Sequence, residues 1–215
     1  MRPSVEARPP LPTAREGAYI VERIDRAFGR EVFTVTSSAG LWRVKSTRRS
    51  EAGQEGFALT VDEATAQPLS FEVWKASEGL HRTVRGVRDE QGYFDIRADG
   101  VGGPSHQRIP YAPGTMIDAA SPVFKSAALA LLSDSWSDDP LAAPIAVRTI
   151  RIDGPRLRAR VVLSKLRARK AEGTTLVRLS RTDEPDVGLW VDRDGWPVQM
   201  RVLDPRWQWR LEDWR

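Results

Sequence analysis

The 215-residue chain contains no cysteine. That absence excludes disulfides, thiolate nucleophiles and thiolate-bound metals. Histidine is nearly as scarce, with only His81 and His106. Neither is accompanied by a serine-elbow motif, so the chain reads as non-enzymatic. No apolar run approaches the ~20 residues of a spanning helix, and no membrane span is expected. The opening, MRPSVEARPPLPTAREG, has charge and proline but no continuous apolar core. It does not read as a secretory signal, and a cytoplasmic protein is the expectation.

Motifs for ions and phosphates are also lacking. Asp192-Arg193-Asp194-Gly195 starts like a calcium loop, but its twelfth position is Leu203, where a bidentate glutamate is required. A hairpin turn is the better reading. Asp134, Asp138 and Asp139 read as solvated loop residues. Gly100-Val101-Gly102-Gly103 runs into Pro104 and not into a helix, so it lacks the anion site of a phosphate loop. Neither a metal site nor a cofactor is expected.

What the chain does have is short alternating segments. Residues 1–17 hold four of the fifteen prolines in their first twelve positions and read as a flexible arm. Tyr19–Asp25, Glu31–Thr36 and Leu41–Thr47 are strands joined by short turns, an antiparallel meander. Further strands are expected at Leu69–Lys75, His81–Val87, Tyr93–Arg97, Ala146–Ile152, Leu157–Leu163, Thr174–Arg181 and Arg206–Trp214. Residues 98–120 hold four glycines and three prolines and read as a long loop with at most one short strand. Ser121-Pro122, a capping hydroxyl before proline, starts the one expected helix, about 122–132, with Val123, Phe124, Ala127, Ala128, Leu131 and Leu132 on its apolar stripe.

One hairpin plan occurs twice. In FALTVDEATAQPLSFEV, Leu59, Val61, Asp62, Pro68, Leu69, Phe71 and Val73 match Leu189, Val191, Asp192, Pro197, Val198, Met200 and Val202 of GLWVDRDGWPVQMRV. The fold class expected is mainly β: an antiparallel β-roll or half-barrel of two similar halves, 18–97 and 145–215. A loop and helix, 98–144, join them into a single domain spanning 18–215.

The opening YIVERIDRAFGREVFTV with GLWRVKS, and the two hairpin passages, resemble a group of uncharacterised bacterial spiral β-roll proteins that includes some labelled glycolipid-binding. The architecture looks similar to the lipoprotein-carrier half-barrels that shelter acyl chains. That resemblance implies two β-rich halves wrapped into a roll, and it brings no catalytic residues.

Eight tryptophans need places. A roll lined by Phe71, Trp74, Phe124, Leu131, Trp190, Met200, Trp207 and Trp209 suits an apolar or amphipathic ligand such as a lipid or glycolipid, with 98–120 as a lid. Packing alone explains the same residues. Net charge is +4, and nine basic residues between Arg148 and Lys170 face only Asp153. On Leu157–Leu163 the apolar residues face one way and Arg156, Arg158 and Arg160 the other, with a bulge expected at Val162–Leu163. Arg158 and Arg160 could hold an anionic group at the rim. Two alternatives stay open: a nucleic-acid or anionic-surface binder through this stripe, and an interaction protein dimerising through Arg206–Trp214 as an edge strand.

Overall fold

The computed structural model describes residues 15–23, 26–100, 103–132, 143–153, 157–171, 173–182, 184–193, 195–202 and 207–214. The meander supplies β1 (Arg15–Arg23), β2 (Arg26–Ser38), β3 (Leu41–Ser50), β4 (Gly53–Asp62), β5 (Pro68–Ser77), β6 (Leu80–Arg88) and β7 (Tyr93–Asp99). Then come β8 (Ser105–Pro110), β9 (Met116–Asp118) and helix α1 (Pro122–Leu132). The rest is β10 (Ile145–Asp153), β11 (Arg158–Ala171), β12 (Thr174–Arg181), β13 (Glu184–Val191), β14 (Pro197–Val202) and β15 (Trp207–Trp214). All fifteen strands belong to one sheet, ordered β8 to β1, then β15 down to β9. The architecture is mainly β and antiparallel, with α1 at its centre; among the described strands only β9 and β10 pair in parallel.

Period-two alternation decides which side chains face inward. Val35, Val44, Leu59 and Phe71 stand side by side on the concave face of the first half. Val21, Trp209, Met200, Leu189 and Val177 do so across the junction and the second half. All are buried in a single core with Val123 and Phe124 of α1. Tyr19 ties the halves together, its hydroxyl donating to Pro197 O at 2.6 Å.

Both copies of the repeated hairpin have the same construction. Each shifts register at its turn end, where Val61 meets Pro68 and Val191 meets Pro197. In each, an aspartate carboxylate caps the turn: Asp62 accepts from Thr65 N at 2.8 Å, and Asp192 from Trp196 N at 2.8 Å.

The sheet ends overlap instead of joining edge to edge. Residues of β9 and β10 are buried on both faces: Asp118 and Thr149 on one, Ile117, Ile150 and Ile152 on the other. Such double burial requires the β9–β10 end to be tucked beneath β6–β8. Gln107 on β8 donates across the overlap to Ala159 O on β11 at 2.9 Å.

Three expectations are corrected. Residues 98–120 carry two strands, and Thr115–Ala119 are buried, so this stretch is sheet and core and not one long loop. Pairing of β10 with β11 runs unbroken from Ile145 to Asp153, with no bulge at Val162–Leu163. Finally, β15 is hydrogen-bonded on both flanks, by β1 and β14, and is no edge; among the described residues the sheet's ends are β8 and β9.

Candidate functional site

The residues expected to line an apolar cavity divide into three groups. Phe71, Phe124, Met200 and Trp209 point inward and are buried as core. Phe124 packs edge-on against Phe57 and Phe71 packs tilted against Phe94, with centroids 6.1 and 5.7 Å apart. Trp207 shares that face at its rim, stacked on Trp209 and edge-on to Phe28. Trp74 and Trp190 lie on the convex face, contrary to expectation. Trp74 stacks on His81 and covers Gly56, whose missing side chain makes the room; Trp190 covers Gly188 beneath Arg201. Leu131 belongs to α1, but its side chain, like Trp136, Asp134, Asp138 and Asp139, lies outside the described residues, as do residues 1–14 of the expected arm.

The concave face is also more polar than its apolar pattern suggests, around the start of α1. Glu31 is fully buried and accepts from Ser46 at 2.8 Å, from Ser121 and from Trp209 Nε1 at 3.2 Å. Arg48 lies 3.8 Å from Glu31, donates to Ala120 O at 2.8 Å and pairs with Glu55, which also holds Lys75 at 2.7 Å. Burial raises the Glu31 pKa, partly offset by Arg48 and the three hydrogen bonds.

On the other side of the helix start, Asp118 meets three cations. Lys125 Nζ sits 2.7 Å away and Arg151 3.2 Å away, and Arg181 pairs with it as well. Against the cost of burial, these cations hold the Asp118 carboxyl at about 2. Burial pushes the Lys125 ammonium down, and Arg151 and Arg181 add repulsion, because several cations share few anions. Glu184 completes the group with Arg151 at 2.9 Å and Arg160 at 2.5 Å. These networks pin Ser121 and Lys125, and with them the helix, inside the roll.

Sequence reasoning passed over Glu31 and Arg48, although the signal was present. Glu31 is in phase with Phe33 and Val35, and Arg48 with Trp42, Val44 and Ser46. A charge in the apolar phase of a strand is either an error of phase or a buried group with partners.

A ligand-sized space lies at the overlap of the sheet ends. A cleft of about 420 Å³ is lined by Arg82, Val84, Ile96 and Ala98 from β6 and β7, and by Leu157, Arg158 and Ala159 at the start of β11. Asp99, Ser105, His106 and Gln107 also line it. Its apolar floor is Val84, Ile96, Ala98, Leu157 and Ala159. Arg82 Nε is buried there with no hydrogen-bond partner among the described residues. His106 is exposed and 3.1 Å from Asp95, while His81 lies on the convex face.

Arg158 and Arg160 therefore differ in place. Arg158 lines the cleft, whereas Arg160 pairs with Glu184. The unbroken β10–β11 register also moves the basic stripe. Lys165, Arg167 and Arg169 continue the face of Leu157, Ala159, Val161 and Leu163, not that of Arg158 and Arg160.

No protein-family model matches the chain, and no curated protein matches it either. Among solved structures, it is similar to a β-barrel-like protein of a domain of unknown function, DUF1849, from Brucella abortus. The match covers 96% of this chain and 98% of that one, with a TM-score of 0.62 and 10% sequence identity. At that identity the likeness is one of fold: this chain has a β-barrel-like architecture shared over almost its whole length.

Proposed function

We propose that the protein is a non-enzymatic binding protein that holds an amphipathic ligand in the cleft between the overlapping sheet ends. The ligand class is an acyl chain ending in an anionic group. The observation that carries this reading is Arg82, a cation whose Nε is buried above an apolar floor with no hydrogen-bond partner among the described residues. Buried donors without acceptors are costly, and an anionic oxygen would supply the missing partner. Arg158 gives a second cation at the same cleft, and the volume falls within the range of small-molecule sites. The interior of the roll is the weaker candidate, because α1 and β9 already fill it with buried side chains.

Calorimetric titration with octanoate, decanoate and dodecanoate tests the reading. Each CH₂ removed from water is worth ~0.8 kcal/mol, so affinity should rise about fourfold per CH₂ until the cleft is full. Arg82→Met should weaken binding by at least about tenfold, and Ala98→Trp should block it. Affinity that ignores chain length, or survives Ala98→Trp, refutes the site.

A further inference from the structure

The convex face of β11 changes character along its length. Leu157 is buried at the cleft, Ala159 is half-buried, and Val161 and Leu163 are 45% and 62% exposed. The same face continues into Lys165, Arg167 and Arg169, all exposed. Arg148 on β10 stands opposite Leu163, and Arg178 on β12 opposite Arg167. Arg178 is neutralised by Asp186. Lys165, Arg167 and Arg169 have no ion-pair partner among the described residues. A protruding leucine and valine thus sit beside cations that no described residue neutralises.

We infer that this face of β10–β12 docks on an anionic bilayer surface. Unneutralised lysine and arginine match lipid phosphates, and exposed Val161 and Leu163 match the boundary between headgroups and acyl chains. A nucleic-acid surface would call for aromatic side chains free to stack on bases. β11 carries none, and the ring of Trp190, two strands away, is covered by Arg201 5.3 Å from its centroid. The apolar track from Leu163 back to Leu157 ends at the cleft, so a docked protein would have a greasy path from bilayer to ligand site. The docking surface itself does not depend on which ligand the cleft takes.

Flotation of the full chain with vesicles tests this. Phosphatidylcholine vesicles containing one quarter phosphatidylglycerol should carry the protein at low salt and release it at high salt; pure phosphatidylcholine should carry little. Each basic residue near such a surface contributes about fivefold in partitioning. Reversing Lys165, Arg167 and Arg169 together to Glu should therefore cost on the order of a hundredfold. Leu163→Ser with Val161→Ser should lower binding several-fold with every charge intact, which a purely ionic surface would not do. Arg82→Met should leave vesicle binding unchanged, separating this result from the cleft experiment. The inference is overturned if anionic vesicles do not bind, or if neither set of substitutions matters. It is overturned equally if a single-stranded oligonucleotide binds more tightly than the vesicles and is insensitive to Leu163→Ser.

Discussion

Glu31 and Asp118 are both fully buried carboxylates at the start of α1, one from each half of the sheet, yet their pKa values shift in opposite directions. Burial disfavours both anions equally in kind. The difference lies in what faces them. Asp118 has three cations around it, whereas Glu31 has Arg48 at 3.8 Å and otherwise neutral donors. In a desolvated setting, hydrogen bonds alone do not restore what a carboxylate loses on leaving water, and opposite charge at close range does. The second half therefore holds the helix by charge, and the first half largely by hydrogen bonding.

Removing each anion gives the sharpest contrast. Asp118→Ala strands Lys125, Arg151 and Arg181 beside one another, and we expect a loss of about 3–5 kcal/mol in chemical denaturation. Glu31→Gln keeps an acceptor for Ser46 and Ser121 while abolishing the burial penalty of the anion, so its cost should stay within about 1 kcal/mol. Equal losses would break the comparison.

The pH dependence follows with opposite signs. The folded pKa of Asp118 lies below its ordinary 3.8. The stability it contributes is present above about 4 and is lost as pH falls towards 2, roughly 2–3 kcal/mol in all. The folded pKa of Glu31 is raised above 4.5, so its contribution is full below that value and is lost as pH rises through the folded pKa. Melting temperature should rise on mild acidification and then fall steeply. Glu31→Gln should flatten the rise and Asp118→Asn the fall, each relative to its own neutral-pH value.

A smaller effect separates the two glycine–tryptophan contacts of the convex face. A Cβ at Gly56 would lie 2.1 Å from the Trp74 ring, whereas one at Gly188 would lie 3.2 Å from Trp190. Gly56→Ala should cost about 1–3 kcal/mol through overpacking, and Gly188→Ala clearly less, both measured by thermal melting.

Much of this was legible in the chain. Alternation marked the strands, Ser121-Pro122 marked the helix start, and the Asp62 and Asp192 passages marked two hairpins of one plan. Phase was harder to read. An apolar row such as Leu157, Ala159, Val161 and Leu163 obeys the inside rule only if the face is covered along its whole length, and here the cover ends partway. Bulk and apolar character alone would place Trp74 and Trp190 inward. Each is accommodated outside by a glycine: Gly56 is the cross-strand neighbour of Trp74, which only the register reveals, and Gly188 precedes Trp190 by two residues on β13. The cleft escaped notice because Arg82, Ile96 and Leu157 come from strands far apart in sequence, brought together by the overlap of the sheet's ends.

The β1–β15 pairing, Gly17 with Trp214 through Arg23 with Trp207, has a consequence for biosynthesis. β1 leaves the ribosome long before the strand that will satisfy its second flank. At about 5–20 residues per second, that flank stays open for roughly ten to forty seconds while the strands between are made. Until β15 arrives, β1 is a bare strand edge, able to pair with another nascent chain. The step that unites the halves is the last one possible, and it is where misassembly should be sought.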